Sequence, residues 1–473
     1  MLLYNMKKKI LEDNPVSRTR TFAADFTQGS VSKHLLRFST PLFLSNLLQV
    51  VYNMVDMIIV GQALGKVGLS GVSIGGDVSH FLTFIAMGFS SAGQVIISQY
   101  IGAKQEKKVG TFIGTMFTFL FGCAAFLSIV CLILRAPILQ LMRTPAESYQ
   151  EALGYTTVSA IGLIFVYGYN IVSAVLRGIG DSKHPFIFIS LAAVMNILLD
   201  LVFVFPLKMG AAGAALATII SQGFSFICCA IFLWKKRDQL GFDIEVKDFL
   251  HIDKDMLLKL TKLGVPMAIK SAAIQFSKLF VNSWINSYGV VVSAVAGIVN
   301  KFSSITNLIS NSVNTAGSSM VGQNIGAQKY DRVPKIMLTA FLMTVTVSIL
   351  MSIVTVAFPE AVFGIFTDEA DVMAVCLEFL PIAVLLFFGS SFRAAMNSLL
   401  NGSGNYRVNF ATAILDGMVM RIGLAVLLGL VLDMKYIGFW LGDALAGFTP
   451  FFIGLVYYYK GNWRTRKYVI KEE

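Results

Sequence analysis

Gln99-Tyr100-Ile101-Gly102-Ala103-Lys104 returns as Gln323-Asn324-Ile325-Gly326-Ala327-Gln328, about 224 residues further along the chain. Arg177-Gly178-Ile179-Gly180-Asp181 returns at the same interval as Asn401-Gly402-Ser403-Gly404-Asn405. Pro41 and Pro266, each early in a long apolar run, keep that spacing too. Three landmarks holding one interval describe a duplicated chain. Two similar halves in a membrane can rock against each other around a shared cavity, which is the build of an alternating-access transporter.

Composition sets the solvent. Of the 473 residues 56% are apolar, 38 of them Phe, and 14% are charged, with most charges clustered between long apolar runs. Runs of about 20 apolar residues cross the hydrocarbon core as helices, whereas barrel strands are shorter and alternate apolar with polar. Twelve such runs are legible: 36–60, 78–101, 110–134, 153–175, 186–207, 210–234, 260–284, 289–317, 334–358, 375–399, 408–432 and 437–459. The expected fold is an all-α polytopic membrane protein, twelve transmembrane helices in two six-helix lobes related by a parallel repeat.

The net charge of +11 does not point to nucleic acid, because of where the charge lies. Lys and Arg crowd the ends (Lys7, Lys8, Lys9, Arg18, Arg20; Lys460, Arg464, Arg466, Lys467, Lys471) and every second loop, including Lys104, Lys107, Lys108 and Lys235, Lys236, Arg237. The loop around Glu360, Asp368, Glu369 and Asp371 has no basic residue. The positive-inside rule then puts both termini in the cytoplasm, which needs an even number of spans. The chain divides into a cytoplasmic tail, 1–30; a first lobe, 31–234; a cytoplasmic linker, 235–259; a second lobe, 260–459; and a tail, 460–473. The expected location is the inner (plasma) membrane of the cell, as a monomer surrounded by lipid.

Residues 1–30 are polar and charged and read as no cleavable signal. The five cysteines (Cys123, Cys131, Cys228, Cys229, Cys376) all fall in spans and read as small packing residues, and of the four histidines only His80 falls in a span. No phosphate-binding Gly-x-x-x-x-Gly-Lys-Ser/Thr loop occurs, so ATP is not an expected partner. No nucleophile elbow or His-Glu-x-x-His motif occurs either. The chain reads as one that moves molecules, not as an enzyme, and it needs no cofactor beyond a coupling ion.

Ionisable groups inside spans are costly, on the order of 2.5–3.5 kcal/mol each on insertion scales, and so mark function. Asp56 in span one lies about a turn below the outer surface, Asp200 in span five about a turn and a half below it. Thr218 enters span six about two turns deep. Asn196 lies one helical turn from Asp200 on the same face. Two carboxylates, an amide and a hydroxyl at comparable depth suit a hard cation, Na⁺ or a proton.

Several of these residues carry a family resemblance: Tyr52-Asn53-Met54-Val55-Asp56 with Val60-Gly61, the Gly102-Ala103 turn, Leu176-Arg177-Gly178-Ile179-Gly180-Asp181, Asn196-x-x-x-Asp200, and Gly210-Ala211-Ala212-Gly213-Ala214-Ala215-Leu216-Ala217-Thr218. From about residue 28 to 460 the chain resembles the multidrug and toxic compound extrusion (MATE) transporters, of the multidrug/oligosaccharidyl-lipid/polysaccharide flippase superfamily. The resemblance implies two lobes forming a V, with export driven by inward Na⁺ or H⁺ flow. Its first-lobe cation site maps onto Asp56, Asn196, Asp200 and Thr218.

The second lobe departs from the first. The repeat sets Val281 or Asn282 opposite Asp56, Leu424 or Ala425 opposite Asp200, Arg421 opposite Asn196 and Asp443 opposite Thr218. In place of a carboxylate pair stand Lys270, Gln275, Lys278, Lys301, Arg393 and Arg421, with only Asp416 and Asp443 opposed. One reading pairs Arg421 with Asp443 or Asp416, sends Arg393 toward the inner surface and lets the lysines snorkel. The other makes Lys270, Lys278, Lys301, Arg393 and Arg421 a cationic cavity wall, with neutral Gln275 as a further candidate cavity residue. Two functions follow: cation-coupled antiport of amphipathic small organic molecules, multidrug efflux included, or a flippase for a lipid-linked saccharide or other anionic amphiphile. A channel or receptor has no use for duplicated rocking lobes.

Overall fold

The first long element, Val31–Gly102, holds 72 residues, on the order of 100 Å if straight and far longer than the hydrocarbon is thick. It turns back at Gly65, whose φ of 59° and ψ of −149° suit a residue without Cβ. Ile59, Val60 and Val72, on either side of the turn, share one apolar cluster. Gly289, at the repeat interval, has φ of 109° and makes the equivalent turn in the second lobe. This pair of glycines is a fourth landmark of the duplication.

The computed structural model describes residues 24–240, 245–249 and 252–465. Residues 31–64 form α1 and 66–102 form α2. They are followed by α3 (Glu106–Leu141) and by α4, which is Tyr149–Ile161 and Leu163–Gly178 bent by 50° at Gly162. Next come α5 (Lys183–Val204) and α6 (Gly210–Leu240). The second lobe repeats the plan with α7 (Lys254–Asn286), α8 (Val290–Gly326), α9 (Arg332–Ala357), α10 (Ala370–Gly402), α11 (Tyr406–Val431) and α12 (Lys435–Lys460). No strand occurs among the described residues. Each of the twelve is long enough to cross a bilayer. Only α7 falls short in hydropathy, because Lys270, Gln275 and Lys278 interrupt it.

The helices overrun the boundaries expected from hydropathy, since a helix does not stop where the hydrocarbon stops. α1 continues to residue 64, so Asp56 lies about two and a half turns from the turn at Gly65, deeper than the one turn expected. The linker is shorter than 235–259: α6 runs on to Leu240, and Asp253 starts α7 by accepting from the backbone N–H groups of Asp255 and Met256. Helical geometry continues through Pro41 and Pro266, which therefore do not end their helices. The tail lysines and arginines up to Arg20, His251, and Arg466, Lys467 and Lys471 lie outside the described residues.

Phe26 and Trp463, near the two described ends, share a cluster with Ile325 at the end of α8, so both ends lie on one face, termed the terminal face below. There α2 and α8 cross, and their contacts obey the repeat. Gln99 Nε2 donates to the Gly402 carbonyl (2.9 Å), and Gln323 Nε2 donates to the Gly178 carbonyl (3.5 Å). A Cβ on Gly102 would fall far inside contact distance of the Gln323 carbonyl, and one on Gly326 inside that of Gln99. Gln94 adds a bond to Ser319 Oγ (2.7 Å) and accepts from Arg177 Nε (2.9 Å). The segment before α1 ties the same place: Ala24 N–H donates to Gly180 O, Phe26 N–H to Gln323 Oε1, and Arg332 Nη2 to the carbonyls of Phe26, Gln28 and Gly29. The lobes are thus clamped at the terminal face.

The clamp predicts a result. In a Gly102→Ala background a cysteine placed at fully buried Ser98 should react faster with a maleimide reaching it from the terminal face. A loss of about 1.4 kcal/mol in the clamped state gives roughly tenfold. Equal rates in both backgrounds would show that closure does not need the close approach.

Candidate functional site

In the first lobe α1, α5 and α6 bring together the four residues singled out in the sequence. Asn196 and Asp200 sit one turn apart on α5 and both are buried, Asp200 completely. Asn196 Nδ2 donates to Thr218 Oγ1 on α6 (3.4 Å). The Asp56 and Asp200 carboxyl groups lie within hydrogen-bonding reach of each other. As two carboxylates they have no hydrogen to share, and the oxygens show it: Asp56 Oδ1, both Asp200 oxygens and Asn196 Oδ1 are buried and receive no hydrogen bond among the described residues. Buried acceptors without donors are rare and costly. A proton shared between the two carboxyls satisfies one oxygen of each, whereas a small hard cation can be ligated by several of these oxygens at once.

Two aromatic hydroxyls and an amide surround this centre without having been singled out in the sequence. Tyr52, one turn before Asp56, accepts from Gln222 Nε2 (3.4 Å), and Tyr155 from α4 packs against Gly75 beside the carboxylates. Tyr52, Asn196, Thr218 and Gln222 line one small pocket in this lobe. The placing of Tyr52 was legible, since i and i+4 share a helix face. That of Tyr155 was not, because it comes from another helix.

The second lobe answers with charge of the other sign. Arg421 on α11 is 1% exposed and divides its guanidinium between two carboxylates. Nη1 bonds Asp443 on α12, and Nη2 bonds Asp416 (3.3 Å). Asp416 precedes Arg421 by five residues, which in an α-helix would point it away. Residues Leu415–Met420 wind as a π-turn, and that extra residue per turn brings the two side chains together. Lys270 on α7 donates to Asn397 Oδ1 (2.8 Å). Lys278, Arg393, Arg421 and Asp443 line a small cavity. Of the five candidate second-lobe residues, Lys278 and Arg421 line it, whereas Gln275 and Lys301 are exposed and are not among its lining residues. Arg393 is not at a membrane surface but in the cavity wall. That corrects its expected place at the inner surface, because α10 runs nine residues on beyond Arg393 before ending.

The MatE family model matches the chain twice, over residues 41–202 and 266–427. The chain belongs to the MatE family. Its members are multidrug efflux transporters, and the two matches are 225 residues apart. At that interval Arg421 stands where Asn196 stands and Asp443 where Thr218 stands. The weak Asn196–Thr218 hydrogen bond of one lobe has become a buried ion pair in the other. Val281 and Ala425, opposite Asp56 and Asp200, are both buried in one apolar cluster.

This MatE chain is 28% identical to the probable multidrug resistance protein YoeA of Bacillus subtilis (strain 168), over 93% of the chain and 96% of that protein. Its fold matches an outward-facing multidrug resistance MATE family transporter of the MOP superfamily with a TM-score of 0.85, at 20% identity over 93% of this chain and 98% of that one. It also matches a MOP superfamily transporter from Pyrococcus furiosus Vc1 (DSM3638), described as having a binding pocket of reversed polarity. There the TM-score is 0.82 and the identity 21%, over 93% and 97% of the two chains. The all-α, two-lobed, V-shaped architecture expected from the sequence is the architecture of this family.

Proposed function

We propose that the protein is a secondary active transporter that exports amphipathic small organic molecules in exchange for inward Na⁺ or H⁺, with the terminal face toward the cytoplasm of the cell's inner (plasma) membrane. The observation that carries this reading is the Asp56–Asp200 pair, buried in one lobe, with Asp56 Oδ1 and both Asp200 oxygens lacking donors among the described residues. A site of this kind binds a cation or proton strongly when closed and releases it when water enters, so it can link ion flow to the rocking of the lobes. Asn196 and Thr218 supply neutral oxygens to the same centre. The clamp at the terminal face is one end state of the cycle, and its opening is the other. The unit is a monomer, ATP takes no part, and no resident cofactor is needed.

Purified protein in vesicles, loaded with a fluorescent amphiphile under sodium and proton gradients imposed separately, tests this. Uphill movement under one gradient, lost when that gradient is collapsed, is the expected result. Equal movement with no ion gradient would refute coupling.

A second reading, the flippase for a lipid-linked saccharide or other anionic amphiphile, is favoured by the unmatched basic groups of the second-lobe cavity. The Pyrococcus furiosus transporter described with reversed pocket polarity is a fold relative in which a similar question arises.

A further inference from the structure

We propose that the second-lobe cavity is an anion site, which binds the phosphate-, sulfate- or carboxylate-bearing head of the cargo. This rests on the reading of the protein as an amphiphile transporter and names the class of amphiphile. Three cationic side chains line it, Lys278, Arg393 and Arg421, against one lining carboxylate, Asp443, with Lys270 and Asp416 outside the lining. Both carboxylates are taken by Arg421, through its ion pairs with Asp416 and Asp443. Lys270 has only a neutral amide oxygen for partner. Lys278 and Arg393 form no hydrogen bond or ion pair among the described residues, and the Nε groups of Arg393 and of Arg421 are buried without an acceptor. Three cations around one lining carboxylate, itself bonded to Arg421, leave an excess of positive charge at this wall, and that excess favours a ligand of the opposite sign.

The neutral part of the wall fits the same ligand. Ser303 and Asn307 from α8 bring a hydroxyl and an amide to the cavity beside Lys278 and Arg393. An Arg fork with a nearby Lys and neutral N–H and O–H donors is the chemistry of oxyanion recognition. A quaternary ammonium drug would meet three like charges there, Lys278, Arg393 and Arg421, with Asp443 already engaged. The two lobes thus separate the ions by sign: the coupling cation in the first, the anionic head in the second. The repeat makes the separation legible, because a neutral Asn196–Thr218 pair corresponds to Arg421–Asp443.

The test uses the full-length protein in phosphatidylcholine nanodiscs, without any gradient. Two fluorescent probes share one pyrenebutyl body, one ending in phosphate and the other in trimethylammonium. The phosphate probe should bind at least roughly tenfold more tightly, and Lys278→Gln and Arg393→Gln should each remove about that factor while leaving the ammonium probe unchanged or improved. Lys278→Gln also answers the question alone if Arg393→Gln lowers the melting temperature. Equal binding of the two probes, or the same loss for both in the variants, overturns the proposal. In sealed proteoliposomes of the same protein, again without an ion gradient, protein-dependent movement of fluorescent phosphatidylglycerol between leaflets would assign the anion to a lipid. Movement of the pyrene phosphate alone would assign it to a water-borne amphiphile, and movement of neither, with tight binding of the ammonium probe, would also overturn it. Because binding is read without a gradient, a failure here is distinct from a failure of coupling, which Asp200→Asn reads under a gradient with Lys278 and Arg393 intact.

Discussion

Asp200→Asn abolishes uphill export, by a factor on the order of a hundred or more, and leaves the protein folded. Asparagine keeps the volume of the side chain and removes only the charge and one acceptor. Asp200 is completely buried, and neither of its oxygens receives a hydrogen bond among the described residues. The amide of asparagine would donate to Asp56 Oδ1, an acceptor that now has no donor. Stability should therefore hold or rise, by about 1 kcal/mol for a buried hydrogen bond gained. A carboxylate that only fixed helix packing would give the opposite pair of results, transport retained and stability lost. Downhill leakage of cargo should persist in the variant, because the cavity is untouched. Export assays in vesicles, beside thermal unfolding in detergent, read both numbers.

Arg421→Ala should cost the protein much of its stability, roughly 3–5 kcal/mol, the usual loss when one partner of a buried ion pair is removed. Two carboxylates depend on this one guanidinium. Asp416 is fully buried and Asp443 is 20% exposed toward the cavity, so Asp416 is the more strongly stranded of the two. Asp416→Asn in the Arg421→Ala background should recover a substantial part of the loss, while Asp443→Asn should recover less because water already reaches it. Thermal unfolding of these four proteins with the Asp416→Asn and Asp443→Asn single variants completes two double-mutant cycles. An Arg421→Ala protein as stable as the parent would show that the triad contributes nothing, and would return Arg421 to the free cationic wall.

Much of this was written in the chain. The repeat interval, the twelve spans and the Asp56, Asn196, Asp200, Thr218 group come from apolar run length, loop charge and the 3.6-residue helical period, all local properties. The family resemblance drew on the same residues. What escaped the sequence is what depends on winding or on neighbours. The π-turn at Leu415–Met420 changes which residues share a face, and nothing in Leu-Asp-Gly-Met-Val-Met announces it. Arg393 reads as one more charge near a helix end, and only the length of α10 places it in the cavity wall. Apolar run length sets Asp56 too near the surface, because helix α1 continues past its apolar run to Gly65. The turn there rests on a glycine, Gly65, matched by Gly289 at the repeat interval.

Counting the coupling ion on the purified protein tests the central claim most directly. Radioactive sodium binding, and proton release on adding cargo at fixed pH, together report whether a cation occupies the Asp56–Asp200 centre and leaves it when cargo enters. The account predicts a single sodium ion or a single proton per protein, lost in Asp56→Asn and in Asp200→Asn and kept in Lys278→Gln. Full stoichiometry in both aspartate variants would contradict it.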